Sequence, residues 1–588
     1  MATLHQYDFL FAVGTIFAFL DAWNIGANDV ANSWASSVSS RSVSYLQAML
    51  GASVMEFSGA LGVGGRVADT IRTKVVDIHA FDGQPALLML GMVCAVIASS
   101  CYLTMATRLG MPVSTTHSIL GGVLGMGVGA LGPNAVTWVG YHPDGSVDIR
   151  GGVVQVFLAW IIAPVLSGAF GAIIFLATKY GVLLRSNPTA RGLVLVPIYF
   201  WVTASLIVML LIWKGGDYSV NLRDGQIPGV IIAAGAGWGL LMALFLVPWL
   251  YRVVVKEDWQ LRAWHIFQGP FLLRRGPVPP PPADFQGIVR NFYEGHLTRD
   301  ELDARRARYA AADDLEGQGQ GHAAATKEDK VAAGSGASAR SVDPADTAAA
   351  TDAPRPHKSL IGPKPDGPWY SGAHVWWFLK WLVLRGVDQD VVSSQSEKSV
   401  LAGDVEEIHA HASHFDNRAE FLYTFLQVMT AAAASFTHGA NDVANAVGPY
   451  ASIYQIWRTA EIPGKQSNVP LWILAFGGTG IVLGLWTYGY HIMRNLGNRV
   501  TLMSPARGFS MELGSVITVI MATRLELPVS TTQCITGSIV GVGLCNGDWR
   551  AINWRMVAWI YLGWFITVPA AGLISGILMG FITYSPHW

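Results

Sequence analysis

Long stretches without a charged residue alternate with short polar segments along most of this chain. A helix that crosses a bilayer needs about 20 apolar residues in a row. Charge-free runs of that length occur at 83–107, 109–143, 151–178, 192–213, 225–251, 421–441, 466–493, 527–547 and 556–588. Shorter runs, each interrupted by one acidic residue, lie at 9–28, 42–65 and 509–523. Some runs are long enough to fold back as hairpins, so the pattern predicts an all-α polytopic membrane protein with about 12 transmembrane helices.

The composition leads to the same class. Hydrophobic residues make up 52% of the 588 positions and charged residues only 13%, about half the charged share of an average soluble protein. These values exclude a soluble enzyme, a disordered scaffold and a disulfide-stapled secreted domain. The net charge of −1 offers no basic surface for nucleic acid. The four cysteines lack the spacing of a metal site and are interpreted as small buried hydrophobic residues.

The central part of the chain, 256–419, is a hydrophilic insert between two sets of apolar runs. Around 316–359 it has no aromatic residue and no Ile, Leu, Met or Cys, so it cannot bury enough apolar surface to fold and is predicted to be disordered. Basic residues follow the preceding span closely, which places the insert in the cytoplasm by the positive-inside rule. Its aromatic segment Trp369–Arg385 predicts a helix lying in the membrane interface or packed against the bundle.

Two motifs occur twice and in the same order. The copies lie at 26–32 and 439–445 for GANDVAN, and at 112–116 and 528–532 for PVSTT. The motifs start 86 residues apart in the first copy and 89 in the second, which chance does not explain. We therefore predict two related membrane halves, 7–255 and 420–588. An odd number of spans between the copies would make them inverted repeats with re-entrant or broken helices, as in secondary transporters.

GANDVAN brings a carboxylate and two amides to membrane depth. An intramembrane carboxylate costs on the order of a few kcal/mol and marks an ion or substrate pathway. The two asparagines are four residues apart and share one helix face. Carboxylate, amide and backbone oxygens suit a small alkali cation, so the predicted cation-binding residues are Asn28, Asp29, Asn32, Asn441, Asp442 and Asn445. The structural alternative is hydrogen bonding between helices.

PVSTT predicts the start of a short helix, because proline is tolerated at the first helical position. The hydroxyls that follow would lie in the first turn, beside free backbone amides and the positive end of the helix dipole, which together bind an oxyanion. The candidate anion-binding residues are Ser114, Thr115, Thr116, Ser530, Thr531 and Thr532. An ordinary Ser/Thr cap is the simpler alternative. A cation between the carboxylates and the anion would remove their repulsion, so each ligand would strengthen the other.

Two further carboxylates, Glu56 and Glu512, lie within apolar runs and are candidates for the transport pathway. A salt bridge or a hydrogen bond between helices would account for them equally well.

Taken together, these residues resemble the inorganic phosphate transporter (PiT) family, and the stretch DAWNIGANDVANSWASSVSSRS is similar to its fungal sodium–phosphate symporters. The resemblance covers both halves but not the insert. It implies a twelve-helix inverted-repeat fold that moves phosphate with sodium. It also assigns phosphate contact to the hydroxyls of PVSTT, sodium sites to GANDVAN, and a part in transport to Glu56 and Glu512.

The leading hypothesis is thus a secondary active transporter, not an enzyme, that couples phosphate movement to sodium by alternating access in the plasma membrane. Its expected partners are phosphate, sodium and the lipid bilayer, without nucleic acid or a cofactor beyond co-transported sodium ions; a homodimer is compatible with this class. Proton coupling, or another oxyanion such as sulfate, stays open because helix N-termini recognise charge more than identity. A hydrolase with Ser114 as nucleophile and His117 as base is disfavoured by Gln533 in the second copy. A passive channel is disfavoured by the paired broken helices.

Overall fold

The computed structural model describes residues 4–73, 78–141, 144, 146–148, 152–214, 223–283, 285, 287–320, 359–395, 400–464, 469–525, 527 and 529–585. Most of the tract predicted to be disordered, around 316–359, lies outside these residues. The described chain is almost entirely helical, as predicted. Its strands, β1 Gly140–Tyr141 and β2 Val147–Asp148, form one short antiparallel pair in a loop.

The first half contains the helices α1 to α7. They are α1 Asp8–Ser39, α2 Tyr45–Thr73, α3 Pro85–Arg108, α4 Thr115–Leu131, α5 Gly152–Thr178, α6 Pro188–Lys214 and α7 Ile227–Leu250. Single turns of 3₁₀-helix lie at His5–Tyr7, Ile78–Phe81, Pro133–Ala135 and Asp224–Gln226, and π-helical turns at Lys179–Leu183 and Tyr251–Val255.

The insert contains a 3₁₀ segment, Ala263–Arg274, and the helices α8 Arg299–Gln320, α9 Gly372–Leu384, α10 Val391–Gln395 and α11 Val405–Ala410. The second half follows with α12 Asn417–Thr459, α13 Leu471–Tyr488, α14 Tyr490–Met493, α15 Pro505–Arg524, α16 Thr531–Leu544 and α17 Trp554–Tyr584. Its 3₁₀ turns are Gly497–Arg499 and Trp549–Ala551.

Eight helices of the described chain are long and apolar enough to span a membrane: α1, α2, α3, α5, α6, α7, α13 and α17. The other large bundle helices are α4, which is apolar but only 17 residues long, and α12, α15 and α16. These four contain many of the predicted site residues. Polar residues or short length keep them below the criterion for a membrane span, although the runs 109–143, 421–441, 509–523 and 527–547 cover them in whole or in part.

Several helices of each half pack mainly on helices of the other half, so that helices are exchanged between the two halves. The α2 helix packs chiefly on α12, and α13 packs chiefly on α1, so each GANDVAN helix is covered by a helix from the other half. Likewise α4 packs on α17, while α16 packs on α5. Each PVSTT helix therefore also rests against the other half of the chain.

Glycines allow the backbones of the helices in these exchanged contacts to approach each other closely. A Cβ on Gly26 would overlap the Ile481 carbonyl oxygen, and a Cβ on Gly439 would overlap the Glu56 carbonyl oxygen. The glycine that opens GANDVAN is thus required in both copies by backbone approach, as at other small-residue helix crossings in membranes.

The insert is attached to one end of the bundle, where α1 ends. The Ser39 hydroxyl donates to Gln395 of α10 at 3.0 Å, and the Arg41 guanidinium lies 2.9 Å from Glu294. The buried Tyr293 hydroxyl donates to Glu420 at 2.8 Å. These contacts fix the polarity of α1: its Ser39 end faces the insert and its Asp8 end faces away from it.

Candidate functional site

The two PVSTT motifs form matching helix starts. The Ser114 hydroxyl accepts a hydrogen bond from the His117 amide at 3.2 Å and caps α4. The Ser530 hydroxyl caps α16 in the same way, accepting from the Gln533 amide at 3.4 Å. Both serines are therefore N-caps, which is the ordinary role of this residue type at a helix start.

Proline does not occupy the first helical position in the first copy, so that expectation is wrong for Pro112. It lies in extended chain two residues before the cap, because α4 starts at Thr115, after the serine that caps it. The extended segment is held by Asn28, whose side-chain oxygen accepts from the Val113 amide at 3.1 Å. Pro528 lies outside the described residues.

The threonines at the two helix starts meet the two aspartates in a crossed arrangement. Thr115 donates to Asp29 at 2.8 Å and Thr531 donates to Asp442 at 3.1 Å, each within its own half. The second threonine of each motif crosses over. Thr532 donates to Asp29 at 3.1 Å, and Thr116 donates to Asp442 at 3.3 Å.

The amides of Asn32 and Asn445 complete this network. Asn32 donates to Asp29 at 3.1 Å and to Thr532 at 2.8 Å. Asn445 donates to Asp442 and to Thr116, both at 3.1 Å. Each amide oxygen is buried without a hydrogen-bond partner, and an oxygen in that condition is a ready ligand for a cation.

The first asparagine of each motif stands outside this network. The Asn28 amide donates to the Thr107 hydroxyl at 2.9 Å and to the Met111 carbonyl at 3.2 Å, so it ties α1 to the end of α3. Asn441 is half-buried on α12. The predicted role of these two residues as cation ligands therefore stays a prediction, and Asn28 has a positioning role in this structure.

Glu56 reaches the site through a histidine that the sequence analysis did not single out. The His438 ring, one residue before the second GANDVAN, places Nδ1 2.6 Å from Glu56 and Nε2 2.8 Å from Asp442. The same Nε2 is 3.6 Å from Asp29. Ser435 donates to the other Glu56 oxygen at 3.0 Å. Three carboxylates thus surround one imidazole, all of them buried.

Glu512 lies in a separate buried cluster on α15. Its carboxylate accepts from Ser37 at 2.8 Å and from Thr430 at 2.6 Å, and Ser36 and Gln427 also contact it. The ligands come from α1 and α12, the two GANDVAN helices, on the insert side of the aspartates. Glu512 therefore joins the ends of these helices and does not contact the His438 cluster.

The space inside the site is small. A cavity of about 10 Å³ lies between α1, α12, α15 and α16, lined partly by Asn32, His438 and Thr531. This volume suits a single water molecule. A larger ligand such as an oxyanion would have to separate the threonines from the aspartates, so the crossed hydrogen bonds are the ones that binding must exchange.

Comparison with known proteins identifies the family. The sequence profile described as the phosphate transporter family matches residues 25–575. The chain belongs to this family. It is 62% identical to the phosphate-repressible phosphate permease pho-4 of Neurospora crassa, with 100% of this chain and 99% of that protein covered. It is 27% identical to sodium-dependent phosphate transporter 1-A of Danio rerio, with 98% and 95% covered.

The fold agrees with a solved member of the group. The structure of the sodium-dependent phosphate transporter matches with a TM-score of 0.61 at 23% identity, covering 98% of this chain and 100% of that one. Membership in the phosphate transporter family and the names of the relatives confirm that the protein is a membrane transporter of phosphate and not an enzyme. The hydrolase alternative is set aside. The Ser114 hydroxyl bonds the His117 backbone, and the His117 ring accepts from Trp160 at 3.2 Å.

Proposed function

We propose that this phosphate transporter is a sodium-coupled symporter of inorganic phosphate that works by alternating access in the plasma membrane. The observation that carries the proposal is the crossed hydrogen bonding of the PVSTT threonines to Asp29 and Asp442. It brings two helix N-termini, which favour anions, against two carboxylates, which favour cations.

Phosphate would take the place of the carboxylates as acceptor for the threonine hydroxyls. The first-turn amides of α4 and α16 and the hydroxyls of Thr115, Thr116, Thr531 and Thr532 would then hold its oxygens from two sides. Ser114 and Ser530 would contribute by shaping the helix starts. Their hydroxyls accept backbone hydrogen bonds, and each keeps a proton that it would donate to a phosphate oxygen.

Sodium would bind the aspartates that the threonines release. When Asp29, Asp442 and Glu56 are all ionised, they carry two more negative charges than a protonated His438 can balance, so in that state a phosphate anion could enter only with accompanying cations. Asn32 and Asn445 offer unpartnered amide oxygens next to these carboxylates. Several similar proteins are named sodium-dependent phosphate transporters.

The insert would lie in the cytoplasm, as its basic residues predict. A cavity of about 1040 Å³ opens between the insert and the end of α1, lined by residues including Val38, Arg41 and Arg290. It would serve as the inner vestibule once the central site opens toward the insert. The predicted homodimer stays a prediction.

The proposal is tested by radiolabelled phosphate uptake into proteoliposomes with an inward sodium gradient, an inward proton gradient, or neither. We expect accumulation with sodium, and its loss in Asp442→Asn, which removes a carboxylate without changing side-chain size. Asp144→Asn, in an exposed loop, is the matched control and should transport normally. Accumulation driven only by protons, or sodium-driven accumulation that survives in Asp442→Asn, would contradict the proposal.

The second candidate is proton-coupled phosphate symport. It is favoured by the His438 imidazole, which joins Glu56 to Asp442 at the centre of the site and could carry a proton between the two sides. The uptake experiment above separates it from sodium coupling.

A further inference from the structure

A further buried carboxylate, Asp21, lies on α1, away from the aspartates of GANDVAN and from Glu512. Asp21 is completely buried. Its Oδ1 accepts a long hydrogen bond of 3.4 Å from the Ser100 hydroxyl, and its Oδ2 has no hydrogen-bond partner. It takes part in none of the ion pairs of the described chain. An unbalanced carboxylate inside a membrane protein is costly unless it serves a ligand.

The neighbours of Asp21 offer further oxygen atoms. The Ser99 hydroxyl is buried and lies within hydrogen-bonding reach of the carboxylate, but it makes no hydrogen bond of good geometry. The single proton of the Ser100 hydroxyl is shared between the Phe17 carbonyl at 2.9 Å and Asp21 Oδ1 at 3.4 Å, and the shorter contact is the stronger one, so the hydroxyl oxygen keeps lone pairs for a cation beside Asp21. One carboxylate with hydroxyl and carbonyl oxygens is a hard-oxygen donor set. Its single negative charge matches a monovalent cation.

The corresponding position in the second half is apolar. Ala434 precedes Asp442 by eight residues, as Asp21 precedes Asp29. Val516 lies five residues before the second MATRL, as Ser100 lies before the first. Val516 and Ala434 pack together in one hydrophobic cluster. The fold therefore needs neither the carboxylate of Asp21 nor the hydroxyl of Ser100 at these positions, whereas Ser99 has a counterpart in Ser515.

A line of polar side chains connects this cluster to the central site. Asp21, Asn24, Asn28 and Asn32 are three or four residues apart and share one face of α1. Asn24 donates to the Thr104 hydroxyl at 3.0 Å, so α3 contributes to the same line. Asp21 and Asp29 are eight residues, or about 12 Å, apart along the helix axis. Asp21 lies on the side of the central site that faces away from the insert.

We propose that Asp21, Ser99 and Ser100 form an additional binding site for a monovalent alkali cation. The assignment of that cation as transported sodium, meeting Asp21 on its way from outside, rests on the proposed function. Binding itself does not depend on it. The unpaired Oδ2 and the Ser99 hydroxyl supply the ligands, and the line of polar residues supplies the route to Asp29.

The test uses the full-length purified protein without phosphate. Sodium chloride is titrated against choline chloride at constant ionic strength, and the midpoint of thermal unfolding is measured. We expect sodium to stabilise the wild type, and Asp21→Asn to raise the half-saturating sodium concentration about tenfold or more, because the site loses its only charge. In uptake assays the same variant should need more sodium, while its KM for phosphate at saturating sodium stays unchanged.

A second variant distinguishes the loss of sodium binding from misfolding. Asp21→Ala with Ser100→Val installs the apolar pair that packs in the second half, so it should fold and show the same loss of sodium dependence. A variant that lowers the unfolding midpoint equally in sodium and choline, with an unchanged sodium titration, would show a purely structural carboxyl and overturn the proposal. So would a wild type that sodium does not stabilise. Proton-driven uptake would overturn the proposed function but not a sodium titration that depends on Asp21.

Discussion

At the scale of single residues, the two halves differ most at the position next to the first glycine of GANDVAN. His438 precedes Gly439 and faces Glu56, whereas Ile25 precedes Gly26, which packs against Ile481. The same backbone contact therefore has His438 and Glu56 at it in one copy and the buried Ile25 and Ile481 in the other. The apolar version shows that the charged pair is not needed for packing, which favours a role in transport.

This comparison gives a prediction for the charged pair. His438→Ile alone leaves Glu56 and Asp442 buried without their partner, and breaking such a pair costs about 3–5 kcal/mol. Adding Glu56→Ile recreates the apolar pair of the first half and should recover the part of that stability that Glu56 had lost, while Asp442 keeps only its hydrogen bonds to Thr116, Thr531 and Asn445. We expect the double variant to unfold at a higher temperature than His438→Ile, although below the wild type, and to transport no phosphate. Full transport by the folded double variant would limit the pair to a structural role.

Duplication decided which site residues the sequence could predict. Asp29, Asp442 and the hydroxyls of PVSTT appear in both copies, and the structure brings them together. His438 and Asp21 were missed because each has an apolar counterpart, so no repeat drew attention to them. A polar residue within an apolar run was the available signal for Asp21. The anchoring of Asn28 by a backbone amide depends on the extended chain before α4, which the sequence pattern does not specify.

At the scale of elements, a histidine pair holds the insert against the second half. His409 of α11 contacts the Asn498 carbonyl oxygen through Nε2 at 2.7 Å, and its Nδ1 is 2.9 Å from Nδ1 of His296. Burial lowers the pKa of His409 to about 4, with Arg507 and His414 acting in the same direction. Burial, followed by the neighbouring His409, lowers the pKa of His296 well below its usual value. Docking of the insert therefore favours the uncharged form of the His409 and His296 imidazoles.

The pH dependence of docking follows from these shifts. Below pH 6.5 the undocked histidines bind more protons than the docked ones, so docking weakens as pH falls. For His409 the loss is up to about 1.4 kcal/mol per pH unit down to about pH 4, and His296 acts in the same direction. We expect amides of residues 405–414 to exchange hydrogen faster at pH 5.5 than at pH 7.5, after correction for intrinsic rates. His409→Gln keeps a donor for Asn498 and should flatten the difference. Equal protection at both pH values in the wild type would contradict this account.

The aromatic helix of the insert was also predicted, with two alternatives for its surroundings. Helix α9 exposes Trp376, Leu379 and Val383, while Trp486 donates to the Val383 carbonyl at 2.8 Å. It thus touches the bundle on one side and presents an apolar face on the other. The contact with the bundle agrees with one predicted alternative, and the position in the membrane interface stays a prediction.

At the scale of the whole molecule, neither half encloses its own site. The first PVSTT helix packs on α17, and the second packs on α5. Glycines allow both contacts: a Cβ on Gly125 would overlap the Gly572 carbonyl, and one on Gly541 would overlap the Gly168 carbonyl. The repeats predicted two related halves, but the sequence holds no sign of this exchange, because it arises between segments far apart in the chain.

The exchange predicts how a divided chain behaves. A break between 320 and 359 leaves the described helices of both halves intact, so the two fragments should assemble and transport phosphate when produced together. Each fragment alone would expose the glycine face of its PVSTT helix and should aggregate or be degraded. Co-purification and uptake assays measure both outcomes. A first fragment that is monodisperse and folded by itself would contradict the proposed dependence.

The same exchange has an evolutionary consequence. Because Gly168 touches Gly541 and Gly26 touches Ile481, a substitution on one side of either contact must be accommodated more than half the chain length away. Natural selection therefore acts on pairs of positions drawn from different copies, and neither copy is free to drift alone. The ancestral duplication was retained as one gene whose two parts now constrain each other's divergence.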